Sequence, residues 1–233
     1  MKKNKLILNI ETATPVCSVA LSRDGALLAH RTSTEHNVHS ERLTVFVEEV
    51  MQECGFEFNM LDAVAVSEGP GSYTGLRIGA SVAKGLCYGL GKPLISVKTL
   101  QAMAHGMSVQ SPDENALYCP MIDARRMEVY TALYDFNGNE IETTTAKVID
   151  AESFQDILSQ RKIIFAGDGM EKCKPVIQSP NALFLEQFRH AAEWMIPLAE
   201  AKWTTRQFAD TAYFEPFYLK EFQAGKKSCT FAT

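Results

Sequence analysis

Ala63-Val64-Ala65-Val66 is a short apolar run with no polar interruption, the composition of a strand buried on both faces of a sheet. A sheet covered on both sides needs helical layers, so this run points to an α/β fold. It leads directly into Glu68-Gly69-Pro70-Gly71-Ser72-Tyr73-Thr74-Gly75 and then into a helical stretch from about Leu76 to Leu90. Strand, glycine turn and helix in that order aim backbone N–H groups and the positive helix end at an anion. The helix is rich in small residues: Gly79, Ala80, Ser81, Ala83, Gly85 and Gly89. Each glycine inside a helix costs about 1 kcal/mol relative to alanine. Several in one helix indicate that another backbone comes close.

The segments before this unit read as three antiparallel strands, Leu6–Ile10, Val16–Ser22 and Ala26–Thr32, the last two joined by an Asp24-Gly25 hairpin turn. A helix follows, with Leu43, Phe46, Val47, Val50, Met51 and Cys54 at a 3.6-residue period, Ser40 as its N-cap and Gly55 as its stop. After the small-residue helix come a strand at 93–97 and a short helix at 99–105. The polar stretch near 110–115 marks a boundary between residues 1–108 and a smaller unit, 109–233, whose last residues pack back on the first. Within the second unit the patterns predict strands at 118–123, 128–134, 141–149 and 162–166, with a hairpin turn at Asn137-Gly138-Asn139. They also predict helices at 152–159 and 188–201. Three antiparallel strands followed by helix, strand, helix and strand is the ribonuclease-H-like order. A second run that begins alike implies a duplicated, two-lobed fold.

Formal net charge is −5, so the chain lacks the basic excess of proteins that grip nucleic acid alone. If RNA is involved, most of the phosphate neutralisation is expected to come from a partner. The six cysteines (Cys17, Cys54, Cys87, Cys119, Cys173, Cys229) are scattered with no Cys-x-x-Cys pair, which suits a reducing compartment. The Leu6-Ile7-Leu8 run ends at Asn9, too short for a signal peptide, and no stretch is long enough to span a bilayer. A cytoplasmic protein without a membrane partner is expected.

The candidate phosphate-binding residues are Thr12, Thr14, Gly69, Gly71, Ser72 and Thr74. The loop is neither a P-loop, since no Gly-Lys-Ser/Thr follows, nor a dinucleotide fingerprint, since Thr74 takes the third glycine position. Locally, a phosphate cradle and simple close packing are equally good readings. Ser72 is not a nucleophile elbow, because position 74 is threonine. His36 and His39 lie in a pre-helix segment with no third ligand, His105 and His190 are isolated, and no metal site is expected. Arg125 and Arg126 either bind a phosphate or pair with Asp123 and Glu128, the ion-pair reading being the favoured one.

Taken together, five segments closely resemble the TsaB (YeaZ) family of bacterial proteins. They are Ile10-Glu11-Thr12-Ala13-Thr14, His39-Ser40-Glu41-Arg42-Leu43, the run from Gly69 to Gly79, Asp123-Ala124-Arg125 with Glu128-Val129-Tyr130, and Pro216-Phe217-Tyr218-Leu219-Lys220. The resemblance runs from about residue 6 to 220. It implies a two-lobed actin-like ATPase fold with a reduced second lobe and a role in forming N6-threonylcarbamoyladenosine (t6A) at position 37 of tRNA. It further implies a TsaD-like catalytic subunit and a TsaE-like ATPase as partners, tRNA contact only through the complex, and a homodimer when the chain is alone. The pairing face would use the first two long helices, here Leu43, Phe46, Val50, Gly75, Gly79, Ala83 and Leu86.

TsaD-type relatives carry two metal-binding histidines three residues apart after the strand that follows the small-residue helix. The matching positions here hold Thr99 and Met103, which implies a subunit with no catalytic residues and no required cofactor. Two positions depart from the pattern. Lys220 stands where arginine is frequent, and Glu11 stands where actin-like ATPases place a Mg²⁺-positioning aspartate. Both put ATP or ADP binding in question. The competing readings are an actin-like ATPase or kinase, and an M22-type peptidase, for which the sequence offers neither a triad nor metal ligands.

Overall fold

The structure, a computed structural model, describes residues 4–35 and 38–220. Strands β1 (Leu6–Glu11), β2 (Cys17–Arg23) and β3 (Ala26–Ser33) form an antiparallel meander, and Asp24 and Gly25 take positive φ in the β2–β3 turn. β4 (Ala63–Gly69) and β5 (Leu94–Lys98) add in parallel on the other side of β1, giving the order β3-β2-β1-β4-β5. All six residues of β1 are buried, because both faces of this sheet are covered. Leu6, Leu8 and Ile10 point to one core with helices α1 (His39–Glu53) and α2 (Tyr73–Leu90). Ile7 points to the other, with Ala63, Ala65, Ile95 and Val97, beneath α6 (Ile196–Thr204) and a 3-10 turn at 192–195. Alternation along one strand thus serves two layers.

Helix α3 (Thr99–Gln110) lies between the halves: Leu100, Met103, Ala104 and Met107 share a core with Tyr118, Ile122 and Tyr134 of the second sheet. That sheet comprises β6 (Leu117–Asp123), β7 (Glu128–Tyr134), β8 (Glu140–Val148), β9 (Ile163–Ala166) and β10 (Ala182–Phe184). Its order, β10-β9-β6-β7-β8, repeats the winding of the first: a three-strand antiparallel meander, then two strands added in parallel beside its first strand. The molecule therefore has the duplicated, two-lobed actin-like α/β architecture.

The second lobe is reduced in its helices. The helix expected at 152–159 is one turn, α4 (Gln155–Leu158), because Phe154 takes φ +66° and Ser153 closes a turn with Asp150. A further single turn, α5 (Met170–Cys173), was not legible in the sequence. The helix expected at 188–201 starts only at Ile196, with Pro197 at its first turn, where the missing N–H is harmless. Ala191 before it is extended, so His190 lies on a crossing strand of chain and not on a helix. The segment then stays on the first lobe. Ala209 bridges Leu94, and Lys84 of α2 donates to the carbonyls of Ala212 and Phe214 at 3.0 and 3.1 Å. No described helix is long and apolar enough to cross a membrane.

Candidate functional site

Between the lobes runs a cleft of about 880 Å³, bounded by the β1–β2 turn, the start of α2, the β6–β7 turn and residues 217–220. The glycine loop reaches it through a cis Gly69–Pro70 bond. Ser72 caps α2, its Oγ accepting from Gly75 N at 3.2 Å. The hydroxyl proposed for phosphate is thereby partly committed to the helix itself.

The glycines of this loop are packing residues. A Cβ at Gly71 would sit 2.2 Å from Ala13 O, at Gly75 2.1 Å from Thr12 O, and at Gly79 2.2 Å from Thr12 Oγ1. Gly69, with φ +111°, lies against Phe217 O. Thr12 is fully buried beneath α2, and its Oγ1 has no hydrogen-bond partner among the described residues. Of the six residues expected to meet phosphate, Thr14, Gly71, Ser72 and Thr74 line the cleft, whereas Thr12 and Gly69 do not. The reason is steric: the loop and the β1–β2 turn touch backbone to backbone.

The partner-face expectation also needs correction. Leu43, Phe46 and Val50 are 1%, 6% and 0% exposed and form their own lobe's core. Gly75, Gly79 and Ala83 face inward, and Leu86 is half-buried against the same core. The apolar period of α1 and the small residues of α2 fit these helices to their own sheet. The outward stripe of α2 instead carries Ser81, Gly85, Tyr88 and Gly89, with Tyr88 89% exposed and open space over both glycines.

At the β6–β7 turn the favoured ion-pair reading fails. Asp123 pairs with Lys172 and Glu128 with Lys220, both across segments remote in sequence. Arg125 and Arg126 take left-handed φ values of 70° and 48°, and neither guanidinium has a carboxylate partner among the described residues. Both line the cleft beside Asp168. Asp168 is accessible at its edge, yet the surrounding walls desolvate its carboxyl and hold it above the usual range, with nearby Asp123 adding to the rise. On the opposite wall Tyr73 meets Tyr218 at 4.8 Å between centroids, and Arg77, outside the cleft lining, stacks over Tyr73 at 4.6 Å.

One further contact lies where sequence reasoning saw nothing. His190 is buried with its Nε2 2.6 Å from Glu11 Oε2, joining residues 179 apart in sequence. No local signal marks such a pair. Burial first, and the Glu11 charge second, push the Cys17 thiol up to about 11. His39 donates from Nε2 to Thr14 O at 3.0 Å, whereas His36 lies outside the described residues. The described residues contain no cluster of three or more His, Cys, Asp or Glu able to hold a metal. Thr99, fully buried, accepts from Gly69 N at 3.1 Å, and Met103 is fully buried beside Gly167.

The fold family implies a metal-bound nucleotide in such a cleft, and Glu11, at the position expected to meet its cation, does not fit that role. Glu11 is fully buried, does not line the cleft, and has both oxygens engaged, by Ala13 N at 2.5 Å and by His190.

The family profile described as "TsaD: tRNA N6-adenosine threonylcarbamoyltransferase" matches residues 27–193. The "tRNA threonylcarbamoyladenosine biosynthesis protein TsaB" of Escherichia coli K12 is 34% identical over 95% of this chain and 97% of its own length. That of Haemophilus influenzae is 28% identical over 97% and 98%. The solved structure of YeaZ from Pseudomonas aeruginosa superposes with a TM-score of 0.77 at 28% identity, covering 92% of this chain and all of that one. A second structure, titled as an uncharacterized protein with similarity to peptidase YEAZ from Pseudomonas aeruginosa, gives 0.80 at 27% identity over 93% of this chain. Sequence, winding and loop geometry agree, and the chain belongs to the TsaB (YeaZ) family of t6A biosynthesis proteins.

Proposed function

We propose that this chain is a non-catalytic, cytoplasmic partner subunit in t6A formation at position 37 of tRNA, holding a TsaD-like catalytic subunit and working with a TsaE-like ATPase. One observation carries the reading. The two positions that would bear metal-binding histidines are Thr99 and Met103, and both are committed to the core. A buried threonine bonded to a loop amide and a buried thioether offer no hard-metal site. The acidic net charge adds support, since phosphate neutralisation on tRNA then falls to a partner.

The docking face on this reading is the outer stripe of α2: Ser81, Gly85, Tyr88 and Gly89. The open space over Gly85 and Gly89 lets a partner helix approach closely, and a second copy occupies the same face when the catalytic subunit is absent. Reconstitution with both partners from the same source tests the role. Modified adenosine should form only when this chain is present; modification by the chain alone, or undiminished modification without it, rejects the proposal. Gly85→Leu should abolish co-purification with the catalytic subunit at unchanged thermal midpoint, and a retained complex rejects the face.

A second reading concerns the cleft. The guanidinia of Arg125 and Arg126, without a carboxylate partner among the described residues and opposite the start of α2, favour a phosphate-bearing ligand such as ADP or ATP, held without the β1 carboxylate. Calorimetric titration decides it: binding lost in Arg125→Ala/Arg126→Ala supports a nucleotide ligand, and no heat with the unaltered chain ends it.

A further inference from the structure

Glu11 ends β1 beneath the cleft with no exposed surface. A carboxylate removed from water is strongly disfavoured unless hydrogen bonds or a counter-charge replace its hydration. Ala13 N–H meets one oxygen at 2.5 Å and His190 Nε2 meets the other at 2.6 Å. Because a carboxylate accepts, Nε2 carries the proton; the remaining ring nitrogen, Nδ1, is buried with no partner among the described residues. The ring comes from the chain crossing between β10 and α6, the point where the second lobe returns to the first. Next to it Ala192 N donates to Ser18 Oγ of β2 at 3.1 Å, and Ala192 and Met195 enter the core under the first sheet.

We infer that His190 is the built-in hydrogen-bond donor to Glu11, standing where a divalent cation would otherwise meet the β1 carboxylate, and that the pair pins the returning crossing onto the first lobe. A resident metal and this imidazole are alternatives at one carboxylate. With the imidazole in place, the lobes are joined through the chain itself and need no bound ion to connect them.

The test uses the full chain with Mn²⁺ or Mg²⁺ alone, so that its result is separate from any nucleotide or partner binding. Unaltered protein should keep the same thermal midpoint with and without millimolar cation. Glu11→Gln and His190→Gln should each lower the midpoint by about 6–15 °C. The double variant should lose no more than the worse single one, since the two changes remove the same contact. His190→Ala should regain part of its loss on adding Mn²⁺. A cation-induced rise in the unaltered protein, additive losses in the double variant, or no recovery of His190→Ala each overturns the inference. Should the variants fail to fold, ¹⁵N-histidine spectra of the unaltered chain decide. A protonated Nε2 in slow exchange with water is expected for His190, and rapid exchange overturns the pairing.

Discussion

A methyl group at Gly79 would meet a side-chain atom, Thr12 Oγ1, whereas one at Gly75 would meet the Thr12 carbonyl oxygen. The two glycines therefore respond differently to the same remedy. Overpacking of this kind costs about 1–3 kcal/mol. Gly79→Ala should lower the thermal midpoint, and Thr12→Ala in the same chain should restore most of the loss, because the hydroxyl removed has no partner among the described residues to forfeit. Gly75→Ala should not be rescued by Thr12→Ala; rescue would show that the backbone can move and that the contact is soft. His105 on α3 gives a second test at this scale. Burial holds its imidazole below the ordinary 6.5. Below that value the unfolded chain takes up a proton that the folded chain resists, so stability falls as pH drops through 6.5. His105→Gln should flatten the decline between about pH 6.5 and 5 in denaturant titrations. The raised carboxyl of Asp168 acts in the opposite direction, so the comparison with the unaltered chain carries the result.

Ser72 is the hinge of meaning for α2. Its hydroxyl satisfies Gly75 N at the helix start, and Ser72→Ala should cost about 1 kcal/mol, a midpoint shift of about 2–4 °C, by calorimetry. A larger loss would indicate further duties for that oxygen. At this scale much of the architecture is legible in the sequence. The Ala63–Val66 run, the Asp24-Gly25 and Asn137-Gly138-Asn139 turns and the apolar period of α1 fall where the structure has them. What local pattern cannot show is which neighbour an inward face meets. Leu43 and Gly79 carry strong signals of close packing, but periodicity is silent on whether the surface they touch is a partner or their own sheet. The second lobe's single-turn helices are too short to leave a period, and its third strand, β8, is exposed over much of its length. The Glu11–His190 contact and the lysine partners of Asp123 and Glu128 depend on tertiary closure and have no sequence signature.

Over the whole molecule, the segment after His190 belongs to both halves. Trp194 packs with Phe188 in the core that α3 shares with the second sheet, and Trp203 packs against the core beneath the first. These are the only two tryptophans in the chain. Fluorescence and far-ultraviolet circular dichroism should therefore report coincident denaturant transitions if the lobes unfold together; an earlier fluorescence transition would mean that this segment detaches first. The chain passes from one half to the other at residues 111–116 and back at 185–191, and Lys220, following Phe217 on the first lobe, reaches Glu128 on the second. Two covalent passages fix an axis in the way two pins fix a door. Relative motion of the lobes is therefore expected to be a hinge about that line, which small-angle scattering with and without a bound partner would test. Whatever grips one leaf thereby sets the angle of its twin.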